Sequence, residues 1–305
     1  MRRPDPIAHW RSDRQSPYIP RMQGIAFRKM QGLGNDFVVI DSRTKPVTLT
    51  ARTAARIADR RWGVGADQVI LIERASDADA HIRFWNPDGS EADACGNGSR
   101  CIAALLMQEA RAGTTNIATK AGTLRGWDAG QGLVGIDMGP PRLEWQDIPL
   151  DGPQDTLAVN LKGLDGISPA LPAPVAVSMG NPHAVFFVPS AKAWDLPTIG
   201  PLLEHDAAFP ERANITLAEV VTPGHLQLHV WERSAGETLA CGTAACADLV
   251  AAVRRGLTGR SARVSLPGGD LQIAWNEGDG HVHMIGPWAQ TFEGVLSATL
   301  LEDAP

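Results

Sequence analysis

The sequence predicts an α+β fold of two similar domains that arose by internal duplication, each a sheet wrapped around a central helix, with the functional site in the cleft between them. Three observations carry this prediction. The second half repeats the first at one fixed offset, short apolar strands outnumber helices, and each half contains one helix that begins directly after a cysteine. At roughly 150 residues per domain, a chain of 305 residues is long enough for two domains.

The duplication becomes visible when the sequence is shifted by 146 residues, the separation of Cys95 and Cys241. Rare residue types then coincide in a single register. A repeat of this length is too long for a solenoid unit, so it indicates two domains related by approximate two-fold symmetry. The matched segments are Gly34-Asn35 with Gly180-Asn181, Trp85 with Trp231, Glu91 with Glu237, Ala94-Cys95-Gly96 with Ala240-Cys241-Gly242 and, after one added residue, Met138-Gly139-Pro140 with Ile285-Gly286-Pro287.

The repeat sets the expected domain boundaries. Residues 1–24 carry arginines and prolines without periodic apolar positions, which is typical of a poorly ordered extension. We expect one repeat domain over 25–141 and a second over 142–286, each with one of the repeated cysteines. The C-terminal segment, 287–305, is expected to return to the first domain.

Each repeat is expected to contain short strands and one main helix. Short apolar runs predict strands over 37–40, 69–72 and 184–188, and apolar/polar alternation predicts another over 225–231. Helical patterns predict helices over 96–109 and 242–255. Gly256, directly after two arginines, is expected to end the second helix.

Composition excludes several classes of function. The formal net charge of −6 provides no basic field for a nucleic-acid backbone or an anionic membrane. No segment approaches the ~20 apolar residues of a spanning helix, and the N-terminus lacks the apolar stretch of a secretory signal. We therefore expect a cytoplasmic protein with no nucleic-acid or membrane partner. Four cysteines are too few for a disulfide framework and are expected to be thiols.

The repeated cysteines carry the predicted chemistry. Each stands immediately before a helix, where the positive end of the helix dipole is expected to favour thiolate over thiol. The unpaired backbone N–H groups of Gly96, Asn97, Gly242 and Thr243 offer a binding site for a carboxylate or phosphate. If the two domains face each other, both thiols reach one cleft. A thiolate on one face of a carbon and a thiol on the other can invert a stereocentre, as a racemase or epimerase does, without an organic cofactor.

Polar residues recur at matched positions around the cysteines. Asn35 corresponds to Asn181, Gln68 to Asn214, and Asn86 to Glu232. Arg233 has no basic counterpart, because Pro87 occupies the equivalent position. We therefore expect a substrate that is pseudo-symmetric at one end and carries an additional anionic group at the other, where a guanidinium can bind a carboxylate.

Several long motifs occur in order along the chain. They are Gly32-Leu33-Gly34-Asn35-Asp36-Phe37, Gly65-Ala66-Asp67-Gln68, Asp88-Gly89-Ser90-Glu91 followed by Cys95-Gly96-Asn97-Gly98, Gly180-Asn181-Pro182-His183, and the run from Trp231 to Thr243. The chain resembles the diaminopimelate epimerase family in these motifs, over about Phe27 to Gly294. It departs from the family's common pattern at Gln31, where histidine is usual, and at Ala244, where glycine is frequent.

The resemblance implies conversion of LL-diaminopimelate to the meso isomer, for lysine and peptidoglycan precursor synthesis, without pyridoxal phosphate. It implies Cys95 and Cys241 as the two acid/base thiols. It also implies that Asn35, Asn86, Asn181, Asn214, Glu232 and Arg233 hold the amino and carboxylate groups of the substrate. We expect a small-molecule partner and no cofactor, and a homodimer is compatible with the sequence.

Two other classes of protein remain as alternative interpretations of the sequence. Proline racemase-like enzymes are similar in fold and cysteine pair, but they act on a ring amino acid with one carboxylate, against which Arg233 and the asparagines argue. A thiol redox or metal-binding protein is disfavoured because the Cys-x5-Cys and Cys-x4-Cys spacings lack the two-residue gap of common motifs. His281 and His283 would share one strand face, but we expect no acidic or cysteine partner beside them and therefore no metal site.

Overall fold

The strands of the two halves pair in equivalent patterns, as the predicted duplication requires. The computed structural model describes residues 24–165, 167 and 170–301. The predicted poorly ordered extension, 1–24, lies outside the described residues except for Gly24. The strands of the first half are β1 (Ile25–Gly32), β2 (Asn35–Asp41), β3 (Gln68–Glu73), β4 (Ala80–Trp85), β5 (Glu91–Ala92), β6 (Thr114–Thr119), β7 (Gly122–Gly130) and β8 (Leu133–Asp137).

The second half repeats this set and adds a final strand. Its strands are β9 (Val175–Ser178), β10 (Pro182–Phe187), β11 (Asn214–Thr222), β12 (His225–Glu232), β13 (Gly236–Glu237), β14 (Ser261–Leu266), β15 (Gly269–Trp275), β16 (Val282–Gly286) and β17 (Ala289–Leu296). The helices are α1 (Ala51–Ala58), α2 (Gly96–Ala110), α3 (Leu196–Glu204), α4 (Gly242–Arg254) and α5 (Ala298–Leu301), with 3-10 turns at Lys162–Leu164 and Ala191–Ala193.

The two halves share one hydrogen-bonding pattern. In the first, β1 and β2 are antiparallel, β2 and β3 parallel, β3 and β4 antiparallel, and β4 and β6 parallel. In the second, the pairs β9–β10, β10–β11, β11–β12 and β12–β14 follow the same order of directions. This identity of topology confirms the predicted α+β fold of two similar domains.

The halves are joined through backbone hydrogen bonds. β16 pairs antiparallel with β15 of its own half and with β8 of the other half, so the sheet runs continuously from one half into the other. β17 then pairs antiparallel with β1, which brings the chain back to the first half. A chain connected in this way holds both halves in one fixed relation along the β8–β16 seam.

The predicted helices form with small shifts at their ends. α2 begins at Gly96 and α4 at Gly242 as predicted, and they end within one residue of the predicted bounds. Gly256, at φ 69°, follows the last turn of α4 and ends the helix as predicted, because glycine adopts this left-handed conformation without strain. α2 ends differently: Arg111 itself takes the left-handed conformation, at φ 52°.

The core forms three layers around the sheet. α2 and α4 lie in one continuous apolar core that contains buried residues from both halves. α1 packs on the outer face of the first half and α3 on the outer face of the second, each over a separate apolar cluster. Each half is therefore a sheet with its long helix inside and its short helix outside.

Ion pairs of Asp36 hold the start of β2, next to the turn that joins it to β1. Asp36 pairs with Lys29 and with Arg60, at 2.6 Å in each case, and its side chain is 18% exposed. Burial alone would raise the pKa of Asp36, but the hydrogen bonds from Arg60 and Lys29 outweigh it and lower the pKa to about 2.

A lowered carboxyl pKa stabilises the folded state above the unfolded pKa of ~3.9, and this contribution disappears as the pH falls through about 2. We expect Asp36→Asn to reduce the free energy of unfolding at pH 7 by about 1–2 kcal/mol. The difference between variant and wild type should shrink as the pH falls from 4 to 2. Urea unfolding at several pH values measures this, with the exposed Asp77→Asn as control. A difference that does not change with pH would contradict the ion-pair origin.

Candidate active site

Cys95 lies at the N-terminus of α2 in extended conformation. Its Sγ accepts a hydrogen bond from the backbone N–H of Gly98 at 3.4 Å, so the sulfur itself caps the helix. Gly98 has to be glycine, because a Cβ there would lie 2.9 Å from Ile70 and from Phe84. The first turn of α2 is thus pressed against the sheet, and the position of Cys95 is fixed by that contact.

Cys241 occupies the equivalent position before α4 and is more deeply buried. It is 4% exposed, whereas Cys95 is partly exposed. Its Sγ lies 3.5 Å from the hydroxyl of Thr243 and also contacts the carboxyl group of Glu232. Both cysteines are free thiols, as predicted.

The two helix N-termini meet at one side chain. A Cβ at Gly96 would lie 2.9 Å from Cε of Met284, and a Cβ at Gly242 would lie 3.0 Å from its Sδ. Asn97 completes the junction, since its Nδ2 donates to the carbonyl of Ala240 in the opposite half at 3.1 Å. The structure therefore brings the two cysteine-bearing turns together.

Asn35 links Cys95 to this junction. Its Oδ1 accepts from Nδ2 of Asn97 at 3.2 Å and lies 3.8 Å from Sγ of Cys95. Its Nδ2 donates to Asp67 at 2.9 Å. Asn35 stands at the first position of β2 and Gln68 at the first position of β3, so both lie at the same end of the sheet.

The other predicted residues of the first half form a pair at that end. Nε2 of Gln68 donates to Oδ1 of Asn86 at 3.0 Å, and Nδ2 of Asn86 donates to Ser90 at 3.1 Å. Oε1 of Gln68 is buried and has no partner among the described residues. An unsatisfied buried acceptor of this kind is available to a ligand donor.

In the second half, Asn181 lies between His183 and Thr243. Nε2 of His183 lies 3.0 Å from Oδ1 of Asn181, whose Nδ2 donates to Thr243 at 3.3 Å. Burial, reinforced by the charge of Arg233, lowers the pKa of His183 to about 3. The imidazole is therefore neutral in the physiological range and acts as a hydrogen-bonding group only.

Asn214 and Arg233 lie together in the second half. The backbone N–H of Arg233 donates to Oδ1 of Asn214 at 2.9 Å, and one guanidinium N–H donates to the carbonyl of Glu211 at 2.9 Å. Among the described residues, no carboxylate pairs with Arg233. The remaining N–H groups of this half-buried guanidinium suit a bidentate carboxylate partner.

The pKa values of both thiols are raised, whereas the helix dipole predicted that they would be lowered. Burial raises the pKa of Cys95 to about 11, and the charge of Glu232 acts in the same direction. Burial and Glu232 also raise the pKa of Cys241 well above its ordinary value. The expected shift toward thiolate was wrong for the free protein, because removal of the sulfurs from water outweighs the N–H groups at the helix ends.

Glu232 is itself perturbed. Burial raises its pKa, while hydrogen bonds with Thr238, at 2.5 Å, and with Cys241 oppose that shift. The carboxyl group thus lies in contact with one catalytic candidate and can exchange a proton with it.

The remaining cysteines and histidines lie away from this chemistry. Cys101 and Cys246 are fully buried in the shared core, and burial raises the pKa of each to about 12, in line with the prediction that they are inert. Among the described residues no group of three or more side chains could hold a metal ion. The expectation that His281 and His283 lack an acidic partner was wrong, because His281 pairs with Asp137 at 2.9 Å and His283 lies 3.8 Å from Asp279. No helix in the described part of the chain is long and apolar enough to cross a membrane.

Comparison with known proteins identifies the family. A family model described as diaminopimelate epimerase matches residues 27–144 and 175–290. The chain is 52% identical over 277 residues to a diaminopimelate epimerase of Rhodospirillum centenum, covering 90% of this chain and 93% of that one. It is 53% identical over 275 residues to that of Acidiphilium cryptum, covering 90% and 97%. The chain belongs to the diaminopimelate epimerase family.

Solved structures show the same fold at low sequence identity. A phenazine biosynthesis protein of the PhzF family from Bacillus anthracis matches with a TM-score of 0.64 at 17% identity, covering 90% of this chain and 99% of that one. A probable proline racemase from Agrobacterium radiobacter matches with a TM-score of 0.64 at 16% identity, covering 90% and 93%. These likenesses establish the fold of this epimerase family member.

The two departures from the family's common sequence have local structural roles. Oε1 of Gln31 accepts from the backbone N–H of Gly34 at 3.0 Å and closes the turn before Asn35. Ala244 is fully buried in the first turn of α4. Neither side chain carries one of the contacts described above for the two thiols.

Sequence reasoning missed four residues that support the site. Asp67 and Thr238 stand inside quoted motifs and could have been found there. Met284 and Arg100 could not be found from the repeat, because their equivalents, Asp137 and Cys246, are of different types. Arg100 is fully buried, and its Nη1 donates to Sδ of Met284 at 3.4 Å.

The Asn97 contact between the halves generates a second prediction. Asn97→Ala removes two hydrogen bonds and leaves the buried carbonyl of Ala240 without this donor. We expect a loss of about 1–3 kcal/mol in the free energy of unfolding and a lower epimerase kcat, since both helix ends lose their common anchor. Chemical denaturation and steady-state kinetics measure these effects. The exposed Asn116→Ala should change stability by less than about 0.5 kcal/mol, and an equal effect of both variants would refute the anchoring role.

Proposed function

We propose that this protein is a cofactor-independent epimerase that converts LL-diaminopimelate to meso-diaminopimelate through two thiols. The observation that carries the proposal is the junction at Met284, where the N-termini that bear Cys95 and Cys241 meet. Family membership supports diaminopimelate as the substrate. The reaction serves synthesis of lysine and peptidoglycan precursors, in the cytoplasm.

The chemistry balances within the two thiols and the substrate. The thiolate of one cysteine takes the α-proton, so the C–H bond breaks and an S–H bond forms. The thiol of the other cysteine gives its proton to the opposite face of the carbon, which restores a C–H bond with inverted configuration. The free N–H groups at the starts of α2 and α4 stabilise the negative charge that develops on the α-carboxylate.

Generation of the thiolate is the demanding step. Both thiols are protonated at neutral pH in the free protein, because burial raises their pKa values. The N–H of Gly98 and the charge of Arg100 favour the thiolate of Cys95, and the hydroxyl of Thr243 favours that of Cys241. Glu232 contacts Cys241 and can accept or return its proton between turnovers.

The polar residues divide between the two ends of the substrate. Asn35, Asn97, Gly96, Gly242 and Thr243 surround the reacting carbon. Gln68, Asn86, Asn181, Asn214, Glu232 and Arg233 bind the amino and carboxylate groups beyond it. Among the described residues no carboxylate pairs with the guanidinium of Arg233, and Oε1 of Gln68 is buried without a partner. Both support this assignment, since a guanidinium binds carboxylates and an amide oxygen accepts from ammonium or amide donors.

A third prediction tests the two thiols. Cys95→Ser and Cys241→Ser should each lower kcat by about 10²–10⁴-fold, because a hydroxyl is a far weaker acid and base at neutral pH. Cys101→Ala and Cys246→Ala are the matched controls and should retain most activity. The assay follows epimerisation of LL-diaminopimelate without added cofactor, beside proline and hydroxyproline.

Solvent isotope incorporation gives an independent measure of the same prediction. In D2O, a two-base reaction yields product with deuterium at the α-carbon while unreacted substrate initially keeps its protium. Early exchange into the substrate, or near-normal turnover by either serine variant, is incompatible with two opposed thiols.

A fourth prediction concerns Arg233. Arg233→Ala should raise KM and lower kcat/KM by an amount equivalent to about 2–5 kcal/mol, because a desolvated carboxylate loses its charged partner. Arg233→Lys should recover part of that loss, since an ammonium cannot form the bidentate contact. Arg212, which contacts Ser234 and lies near Glu204, provides the matched control, and Arg212→Ala should leave KM unchanged. Normal kinetics in both Arg233 variants would exclude this arginine from substrate binding.

A further inference from the structure

Asp67 determines which end of the Asn35 amide faces Cys95. Oδ2 of Asp67 accepts from Nδ2 of Asn35 at 2.9 Å and from the backbone N–H of Asp36 at 3.1 Å. An ionised carboxylate can only accept, so it selects the NH2 end of the amide. The carbonyl end of Asn35 must therefore point the other way, toward the helix N-terminus.

At that end the carbonyl oxygen lies beside the sulfur. Oδ1 of Asn35 accepts from Nδ2 of Asn97 at 3.2 Å and lies 3.8 Å from Sγ of Cys95. An acceptor next to a thiol can receive its S–H hydrogen but repels the lone pairs of a thiolate. The orientation of this amide thus favours the protonated form of Cys95.

Asp67 is held in place by a charged network. Arg60 donates to Asp67 at 2.7 Å and to Asp36 at 2.6 Å, and the backbone N–H of Asp67 donates to Asp36 at 3.0 Å. Lys29 pairs with the second oxygen of Asp36. In its hydrogen bonds with Asn35, Arg60 and the backbone N–H of Asp36, the carboxylate of Asp67 is the acceptor.

Two other charged groups face Cys95. Glu232 reaches it from the second half and Arg100 from α2, and their effects on the thiol are opposite in sign. Glu232 also interacts with the charge of Asp67. Any test of Asp67 must therefore separate its hydrogen bond to Asn35 from its charge.

The second half has no carboxylate at the position equivalent to Asp67. Ala213 stands at the position equivalent to Asp67, and Asn181 at that of Asn35. There the amide oxygen faces His183, and Nδ2 donates to Thr243, whose hydroxyl lies 3.5 Å from Sγ of Cys241. The two equivalent asparagines thus present opposite ends toward their cysteines.

We propose that Asp67 is a positioning residue that fixes the Asn35 amide with its carbonyl oxygen toward Cys95, so that Cys95 is held as a thiol in the free enzyme by a contact that Cys241 does not have. The inference deepens the proposed two-thiol function, because it assigns unequal surroundings to the two thiols. It is measured without turnover, so its failure is distinguishable from failure of the proposed reaction.

The experiment compares wild type with Asp67→Asn by iodoacetamide alkylation in the absence of substrate. Rates are followed from pH 7 to the high-pH plateau, with peptide mapping that separates Cys95 from Cys241. In the variant, the new amide can donate to Asn35, whose NH2 group can then turn toward Sγ and stabilise a thiolate. We expect the alkylation midpoint of Cys95 to fall by about one pH unit, and that of Cys241 to change much less.

A double-mutant cycle separates orientation from charge. If Asp67 acts through the amide, Asp67→Asn should have little effect on Cys95 once Asn35→Ala is present. Asp93→Asn is the charge-matched control, since it removes a carboxylate two residues from Cys95 that pairs with Lys120 and has no bond to Asn35. That variant should leave the Cys95 midpoint within a few tenths of a pH unit of wild type.

The outcomes decide the proposal in both directions. An unchanged Cys95 midpoint in Asp67→Asn, or an equal shift with and without the Asn35 amide, overturns it. Should Asp67→Asn fail to fold, Asn35→Ala alone must lower the Cys95 midpoint, because the acceptor is lost, and no shift there overturns the proposal. A Cys95 shift in a protein that does not epimerise diaminopimelate would uphold the positioning role and refute the proposed function.

Discussion

The site depends on one steric constraint, the meeting of two helix N-termini around Met284. Gly96 and Gly242 permit this approach because a side chain at either position would press on the methionine. Asn97 then ties the two turns through the carbonyl of Ala240. The sulfurs of Cys95 and Cys241 are buried beside these turns, and that burial raises the pKa values of both thiols. The junction of the two helix N-termini therefore determines both how the helices pack and how far the thiols are buried.

Duplication supplies the scaffold, and the two halves differ from each other at positions around the cysteines. The strand directions, the long helices and the cysteines repeat between the halves. Two of the positions that differ between the halves lie among the candidate site residues: Asp67 against Ala213, and Pro87 against Arg233. A substrate with one reacting centre and one distal amino acid group needs near-mirror thiols but different binding groups on its two sides. The asymmetry of these positions fits that requirement.

The sequence predicted the elements that depend on local pattern or on the repeat. Helix starts at Gly96 and Gly242, the stop at Gly256 and the thiol state of the cysteines all follow from residue type and position. The direction of the thiol pKa shift could not be predicted, since it depends on burial depth, which the pattern before a helix does not encode. The register of the β8–β16 seam and the contacts of Met284 could not be predicted either, because both join segments that lie far apart in the sequence.

The continuous sheet also limits how the cleft can open. β8 and β16 join the halves by backbone hydrogen bonds, and the core around α2 and α4 contains residues from both. Separation of the halves at the level of Met284 would break that core and the Asn97 contact together. Opening of the halves at this level is therefore opposed by the shared sheet, the shared core and the Asn97 hydrogen bond together. Because Cys95 and Cys241 directly precede α2 and α4, the contacts that join the two helix N-termini also hold the two cysteines in one relation to each other.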